Sequence, residues 1–275
     1  MIETCVIRAD HGSPRHAFLK SGVDIYTCPT CGCVMADLAF VHEQYEAGSY
    51  YTMSFQDKEA IEREWGFRWR HILRTLKRFV GAPRILDVGA GNGYFVFLAR
   101  TEFGFDANGI EISEAETAYA RKMFGVEFLR ADAARAAGQY DVVTSFNVLE
   151  HVAKPLLLLA DMSEKLAPGG LLVLTTPNPS CIHRRVLGLQ RWSMVCPPHH
   201  INLFTRPALQ ELLGSAGFEI LTYSTLSTYI NYVRKFDTES LLLRRMVFQA
   251  LKSVNLGADH FVVCRKTRSA APQPH

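Results

Sequence analysis

Arg84-Ile-Leu-Asp-Val-Gly-Ala-Gly-Asn-Gly-Tyr-Phe-Val-Phe-Leu-Ala-Arg100 decides how the rest of this chain is read. Ile85, Leu86 and Val88 spell a short buried strand. Gly89, Gly91 and Gly93 follow as a turn with little side-chain bulk, and Tyr94 to Arg100 opens a helix. A strand, a glycine-rich turn and a helix start bring bare backbone N–H groups close to a ligand. Asp87 ends the strand just ahead of the glycines. Phe105-Asp-Ala-Asn-Gly-Ile-Glu111 is a second strand ending in an acid. An acid at that point, about 20 residues past the loop, can accept both hydroxyls of a ribose.

From Arg84 onward the pattern alternates. Strands are expected near 84–88, 105–110, 126–130, 140–145 and 170–176, and helices near 93–103, 113–123, 151–166 and 205–216. Alternation of this kind predicts a parallel sheet covered on both faces, with ligands at the carboxyl ends of its strands. Asp87, Glu111, Asp132 and Asn147 all fall at or just past such ends. Asp132 has two readings, an acceptor for an adenine amino group or a helix N-cap. Upstream, Ile61, Trp65, Trp69, Ile72, Leu73 and Leu76 repeat at helical spacing and predict a packed helix over 57–80.

The loop register is Gly-x-Gly-x-Gly, and Tyr94 occupies the place of the third glycine of a dinucleotide-binding loop. That register with Asp87 in front resembles the first motif of class I S-adenosylmethionine-dependent methyltransferases. Asn147-Val-Leu-Glu-His-Val152, then Leu166-Ala-Pro-Gly-Gly170 and the strand Leu171 to Thr176, are similar to later motifs of the same family. The resemblance runs over residues about 84–225. It implies a Rossmann-like α/β fold, a seven-stranded mostly parallel sheet with helices on both faces. Phe218–Tyr223 and His260–Arg265 would be its last two strands. It implies S-adenosylmethionine as cofactor. By carry-over, Asp87, Gly89, Ala90 and Gly91 hold its methionine end, Glu111 with Ile112 its ribose, and Asp132 with Ala133 its adenine. Asn147 and Leu149 line it, and Tyr51, in an aromatic segment ahead of the loop, folds over it.

At 275 residues and 48% apolar content the chain suffices for one large domain with a small appendage. The expected division is a cysteine module over 1–50, a methyltransferase domain over 51–268 and a frayed tail over 269–275. Net charge is +3, too near neutral to argue for nucleic acid or an anionic membrane. No signal-like run and no stretch of about 18 apolar residues is seen, so a cytoplasmic protein is expected. Seven cysteines in such a chain read as thiols or metal ligands rather than disulfides.

Tyr26-Thr-Cys28-Pro-Thr-Cys31-Gly-Cys33 reads as a strand running into a knuckle. Two thiolates at this spacing can grip one tetrahedral zinc ion. Cys5 offers a third ligand, but Arg8 stands where its own partner would be, so His11 or His16 is needed to complete the set. The candidate site is Cys5, His11, Cys28 and Cys31; the alternative is a vestigial knuckle of free cysteines.

The acceptor side is less legible. Cys196-Pro-Pro-His199-His200-Ile-Asn-Leu-Phe-Thr205 is a proline-stiffened loop expected near the catalytic mouth. His199 and His200, with His151, are candidate general bases or packing residues. An insertion over 226–257 carries an amphipathic helix whose default role is to cover a core. The expected function is methyl transfer to a small molecule: a sugar, a quinone or lipid precursor, or a secondary metabolite. The alternatives are an RNA or protein methyltransferase, a nucleotide-dependent oxidoreductase, and a non-enzymatic zinc ribbon that binds nucleic acid.

Overall fold

The computed structural model of the chain describes residues 2–37, 57–227 and 241–267. Its first strands, β1 (Arg15–Lys20) and β2 (Val23–Thr27), form a hairpin. Ser21 and Gly22 make the turn, both at positive φ (51° and 78°), as the twist of a two-residue hairpin requires. The knuckle at Cys28–Cys33 then reverses the chain into β3 (Val34–Ala36), which pairs antiparallel with β2. Residues 2–37 do not complete this sheet by themselves. Its fourth strand, β8 (Asn202–Leu203), comes from far along the chain and pairs antiparallel with β3.

Helix α1 (Lys58–Phe79) starts where Asp57 caps it, its carboxylate accepting from Ala60 N at 2.7 Å. Ile61, Ile72, Leu73 and Leu76 form its buried face, as their spacing predicts. Alternation then sets in: β4 (Arg84–Val88), α2 (Tyr94–Thr101), β5 (Asp106–Ile110), α3 (Glu114–Phe124), β6 (Tyr140–Phe146), α4 (Pro155–Lys165) and β7 (Leu166–Pro177). After the short α5 (Ile182–Leu187) and β8 come α6 (Arg206–Ser215), β9 (Phe218–Leu226), α7 (Leu241–Ser253) and β10 (Asp259–Lys266). Helix α4 begins at Pro155 rather than near 151, because Leu149–His151 coils as a separate 3-10 turn.

The main sheet has the order β5-β4-β6-β7-β10-β9. β5, β4, β6 and β7 are parallel, and β10 runs antiparallel to both β7 and β9. Neighbouring residues face opposite ways, as strand pleating demands. Leu86, Val143, Leu172 and Val262 pack under α4 and α6; Ile85, Val142, Val173 and Phe261 pack under α1 and α2. The α/β class is as expected, but the described sheet has six strands, not seven. Residues 126–130 make only an isolated bridge, Ile110 to Leu129. Phe128 turns inward onto the glycine loop, and Asp132 soon caps a 3-10 turn at Ala133–Arg135, so too little extended chain remains for a ladder.

The small sheet is clasped on both faces. Cys5, Ile7, Cys28, Cys31, Cys33 and Met35 join the α4–α6 core of the main sheet. Val23, Ile25, Val34 and Ala36 pack under Trp192, Val195 and Ile201 from the segment after α5.

Gly109 in β5 marks how tightly this region is packed. A Cβ there would lie 2.5 Å from the Phe128 ring and 2.8 Å from the Ala90 methyl. Gly109→Ala is therefore expected to destabilise the protein by about 1–3 kcal/mol in urea unfolding, with part of the loss recovered when Phe128→Leu is added. An unchanged midpoint would refute this packing argument.

Candidate active site and metal centre

The glycine loop leaves β4 with Gly89, Gly91 and Gly93 all at positive φ (74°, 52° and 80°). The Ile110 carbonyl at the tip of β5 accepts from both Gly89 N and Ala90 N at 3.0 Å. Glu111 takes the next two donors. Its carboxylate accepts from Gly91 N and from Ser113 N, each at 2.9 Å, and so ties the loop to the start of α3. At Gly91 an added Cβ would meet nothing within 4 Å, whereas at Gly89 it would run into Val148. The loop is thus packed on one side and open on the other.

Asp87 is buried and accepts from the Thr144 hydroxyl at 2.7 Å. Burial pushes its carboxyl up to about 7, against the Thr144 hydrogen bond, and the nearby charge of Glu111 adds to the rise. Beside Glu111, Ile112 is 61% exposed, and Leu129 at the neighbouring bridge is 58% exposed. Asp132 does cap its 3-10 turn, accepting from Arg135 N at 3.1 Å, and Ala133 and Leu149 are buried. Tyr51 lies outside the described residues.

Asn147 closes the far side. It sits at positive φ (54°) past β6, and its amide is fully engaged. The amide oxygen accepts from Thr175 Oγ1 at 2.9 Å and Arg68 Nη2 at 3.3 Å; the amide nitrogen donates to Asp259 Oδ1 at 3.4 Å. Arg68 Nη1 donates to Asp259 at 2.5 Å, and Arg68 is 1% exposed. Sequence reasoning missed Arg68, Asp259 and their ion pair. The signal was a cation at a core position of α1, between Trp65 and Ile72 on the apolar stripe.

Glu116 was missed too. Ser113 caps α3 by accepting from Glu116 N at 3.3 Å. A capping box would return the Glu116 carboxylate to the Ser113 N–H, but Glu111 has taken that donor. Glu116 is left buried, with neither oxygen hydrogen-bonded among the described residues, and burial raises it to about 7.

The structure brings two of the three candidate histidines together. The His151 and His200 rings meet edge to face, 4.8 Å apart. Glu150 adjoins them: one ligand atom from each of the three lies within 4.8 Å of the others. His151 Nδ1 is 2.8 Å from the His199 carbonyl, and His200 Nδ1 is 2.7 Å from the Met194 carbonyl. A ring nitrogen facing a carbonyl carries the proton, so in both rings the lone pair is on Nε2. Burial pushes His151 down to about 4 and His200 to about 3, so both are neutral at pH 7. Burial likewise raises Glu150 to about 8, which keeps it largely protonated at pH 7. His199 differs: its side chain is exposed, and its carbonyl is what reaches His151.

The cysteine module also gathers its predicted ligands. Cys5, His11, Cys28 and Cys31 each place one ligand atom within 4.8 Å of the other three, and all four residues are buried. Cys5 Sγ and Cys31 Sγ are 3.7 Å apart, far beyond a disulfide bond of about 2.05 Å. Two sulfurs at about 2.3 Å from one tetrahedral zinc stand about 3.8 Å apart. His11 Nε2 is 3.1 Å from Glu211 Oε1, and Nδ1 is buried with no hydrogen-bond partner, so Nδ1 is the ligand atom left over. His16 pairs instead with Asp24 at 2.9 Å on the exposed hairpin. Cys33 stays outside the set, donating to the Val34 carbonyl, with burial holding it as a thiol. Arg8 lies on the surface against Asp10 and Glu211.

Residues 58–223 match a family model described as a methyltransferase domain, and these are more than half of the chain. The chain belongs to that methyltransferase family. This methyltransferase is similar to the ubiquinone biosynthesis O-methyltransferase of Ruegeria pomeroyi, 34% identical over 173 residues, 58% of this chain and 68% of that protein. It is also similar to the protein of that name from Pseudomonas aeruginosa strain UCBPP-PA14, 29% identical over 182 residues, 59% of this chain and 78% of that one. Among solved structures, an S-adenosylmethionine-dependent methyltransferase from Mesorhizobium loti shares the fold, with a TM-score of 0.52 and 21% identity over 74% of this chain and 97% of that one. The S-adenosylmethionine dependence of the family fits this site. The open side of Gly91, the acid of Glu111 and the exposed apolar residues Ile112 and Leu129 all lie around the carboxyl end of β5.

Two outcomes follow for this methyltransferase. Removing one partner of a buried ion pair leaves the other charge uncompensated, so Arg68→Met is expected to cost about 3–5 kcal/mol in urea unfolding, with much of it recovered in Arg68→Met/Asp259→Leu. The buried carboxyls set a pH slope. Their folded-state pKa values lie above the unfolded value of about 4, so their stabilisation is complete below about pH 4. It is lost as pH rises through about 7 for Asp87 and Glu116 and about 8 for Glu150. Stability should fall between about pH 4 and 8 and level off above, and Glu116→Gln should shrink that fall by about 3 kcal/mol. An identical slope in the variant would show that Glu116 titrates normally.

Proposed function

We propose that this methyltransferase transfers a methyl group from S-adenosylmethionine to a hydroxyl of a small-molecule acceptor of the phenol or quinone-precursor class. The observation that carries this reading is the pair of neutral imidazoles, buried His151 and half-buried His200, at the same strand-end region as the glycine loop. An alcohol or phenol must lose a proton as it attacks, and a neutral imidazole is suited to take it. The names of the relatives in ubiquinone biosynthesis point to the same acceptor class.

Bound S-adenosylmethionine supplies a methyl carbon already activated by the sulfonium charge. The chain's own residues bind and align. Asp87 and the loop Gly89-Ala90-Gly91 take the methionine end, Glu111 with Ile112 the ribose, and Asp132 with Ala133 the adenine. Asn147 contributes through its backbone, since its amide is engaged by Arg68, Thr175 and Asp259. Leu149 backs the cofactor. His200 takes the hydroxyl proton, His151 packs against it and shapes the mouth, and His199 meets the acceptor at the rim. Alignment supplies at most roughly 7–11 kcal/mol, and the base a further factor of roughly 10²–10⁴.

The cluster Cys5, His11, Cys28 and Cys31 holds one zinc ion. Four protein ligands close the coordination sphere, so the metal is structural and leaves no position for substrate. The carboxylate of Glu211 behind His11 is the outer partner that orients a metal-bound imidazole. A cytoplasmic location suits such reduced cysteines. No helix among the described residues is long and apolar enough to cross a membrane.

Calorimetry with S-adenosylhomocysteine tests the cofactor side. Wild type is expected to bind in the micromolar range, with at least about a tenfold loss in Glu111→Ala, equivalent to about 1.4 kcal/mol. His200→Gln should bind it unchanged, yet lose about 10²–10⁴ in kcat with a dihydroxyphenol acceptor. A folded wild type that does not bind the product sinks the cofactor assignment, and full activity in His200→Gln removes the base.

A further inference from the structure

We propose that the metal module is a clamp for the acceptor side of the active site, setting the position of residues 199–205 while the cofactor side stands independently. This rests on the zinc reading given above.

The segment His199–Thr205 is hydrogen-bonded along both edges. On one edge it meets the Glu150–Val152 turn. Ile201 N donates to the Glu150 carbonyl at 2.9 Å, Asn202 Nδ2 donates to the Val152 carbonyl at 2.8 Å, and the His199 carbonyl faces His151 Nδ1. On the other edge it meets the module. β8 pairs with β3, and Ala36 N donates to the Ile201 carbonyl at 2.9 Å. The position of the catalytic histidines is therefore transmitted, through one short segment, to the strand that follows the knuckle.

The ligand residues grip the same segment directly. The carbonyl of Cys31 accepts from the Thr205 hydroxyl at 2.5 Å, and Thr205 is the N-cap of α6. Gly32 fits so closely that an added Cβ would lie 3.1 Å from the Thr205 methyl. His11 reaches Glu211 on α6, and Thr30 Oγ1 closes the two halves of the module by donating to the His11 carbonyl at 2.6 Å. Cys5, Cys28 and Cys31 share one core with Phe204 and Leu209.

A two-residue strand such as β8 has too few ladder bonds to hold its own place. The module is equally dependent. A chain of fewer than about 40 residues rarely supports itself without metal, disulfide or partner, and four unligated polar side chains in its centre would oppose folding. Metal binding supplies that folding free energy. The cofactor loop has other supports: Gly89 and Ala90 hang on Ile110, and Gly91 on Glu111. Loss of the metal should therefore loosen one side of the site and spare the other.

The test uses the full chain. Zinc content is measured by mass spectrometry, and the metal is removed with a chelator. Amide hydrogen exchange is followed at Ala36, Ile201 and Leu203, with S-adenosylhomocysteine affinity measured in parallel. One zinc per chain is expected. Stripping should speed exchange at these amides at least about tenfold and change product affinity less than about threefold, and zinc should restore the slow exchange. Glu211→Gln, which keeps all four ligands, should bind zinc about 10–100-fold more weakly, and its exchange should follow zinc occupancy. A chain that never takes up zinc defeats the metal reading and the clamp with it. Zinc present, with exchange at 199–205 indifferent to its removal, defeats the clamp alone. Product affinity that collapses together with the exchange protection defeats the division into two sides.

Discussion

Two backbone N–H groups, from Gly91 and Ser113, converge on one carboxylate, that of Glu111. The cofactor side of the structure depends on this arrangement. It joins the glycine loop after β4 to the helix after β5, and it holds an acid at the carboxyl end of β5. It also has a local cost. By taking the Ser113 donor, Glu111 deprives Glu116 of the partner that a helix N-terminus would ordinarily provide, and a second carboxyl stays buried beside it with a raised pKa. A binding site that gathers acids at strand ends carries such tension.

What was legible in the sequence was local. Gly89 to Gly93, Asp87 and Glu111 announce themselves within some 25 residues because strand, turn and helix are consecutive. The Cys/His cluster was legible for a different reason: residue type is so restrictive that Cys5, Cys28 and Cys31 needed only a fourth donor to match a metal-ligand set, and buried His11, at the end of the turn Ala9–His11, lies beside them. What was illegible was long-range. Arg68 and Asp259 are 191 positions apart, and only the folded sheet brings them together. The missing seventh strand failed for a subtler reason. Residues 126–130 have strand composition, but Phe128 finds more to pack against under the glycines than along a ladder.

Fold and chemistry separate cleanly in this molecule. The family match over residues 58–223 establishes a methyltransferase, and many acceptors are served by that scaffold. The region around His151 and His200 is built from non-consecutive pieces: a 3-10 turn, a proline-stiffened loop and a strand of two residues. Their positions are set by hydrogen bonds to backbone carbonyls rather than by any motif. The neutral state of both imidazoles is likewise a product of burial, not of residue type.

That β8 closes the N-terminal sheet has a consequence for how the protein is made. β3 ends at Ala36, but its partner strand begins at Asn202, so about 165 further residues must leave the ribosome before the small sheet can be completed. At about 5–20 residues per second that is roughly 10–30 s. Throughout this interval the nascent chain carries an uncovered strand edge and a cluster of reduced thiols. This sheet, begun early, is thus among the last parts to be sealed, and a metal ion captured early would protect it while it waits.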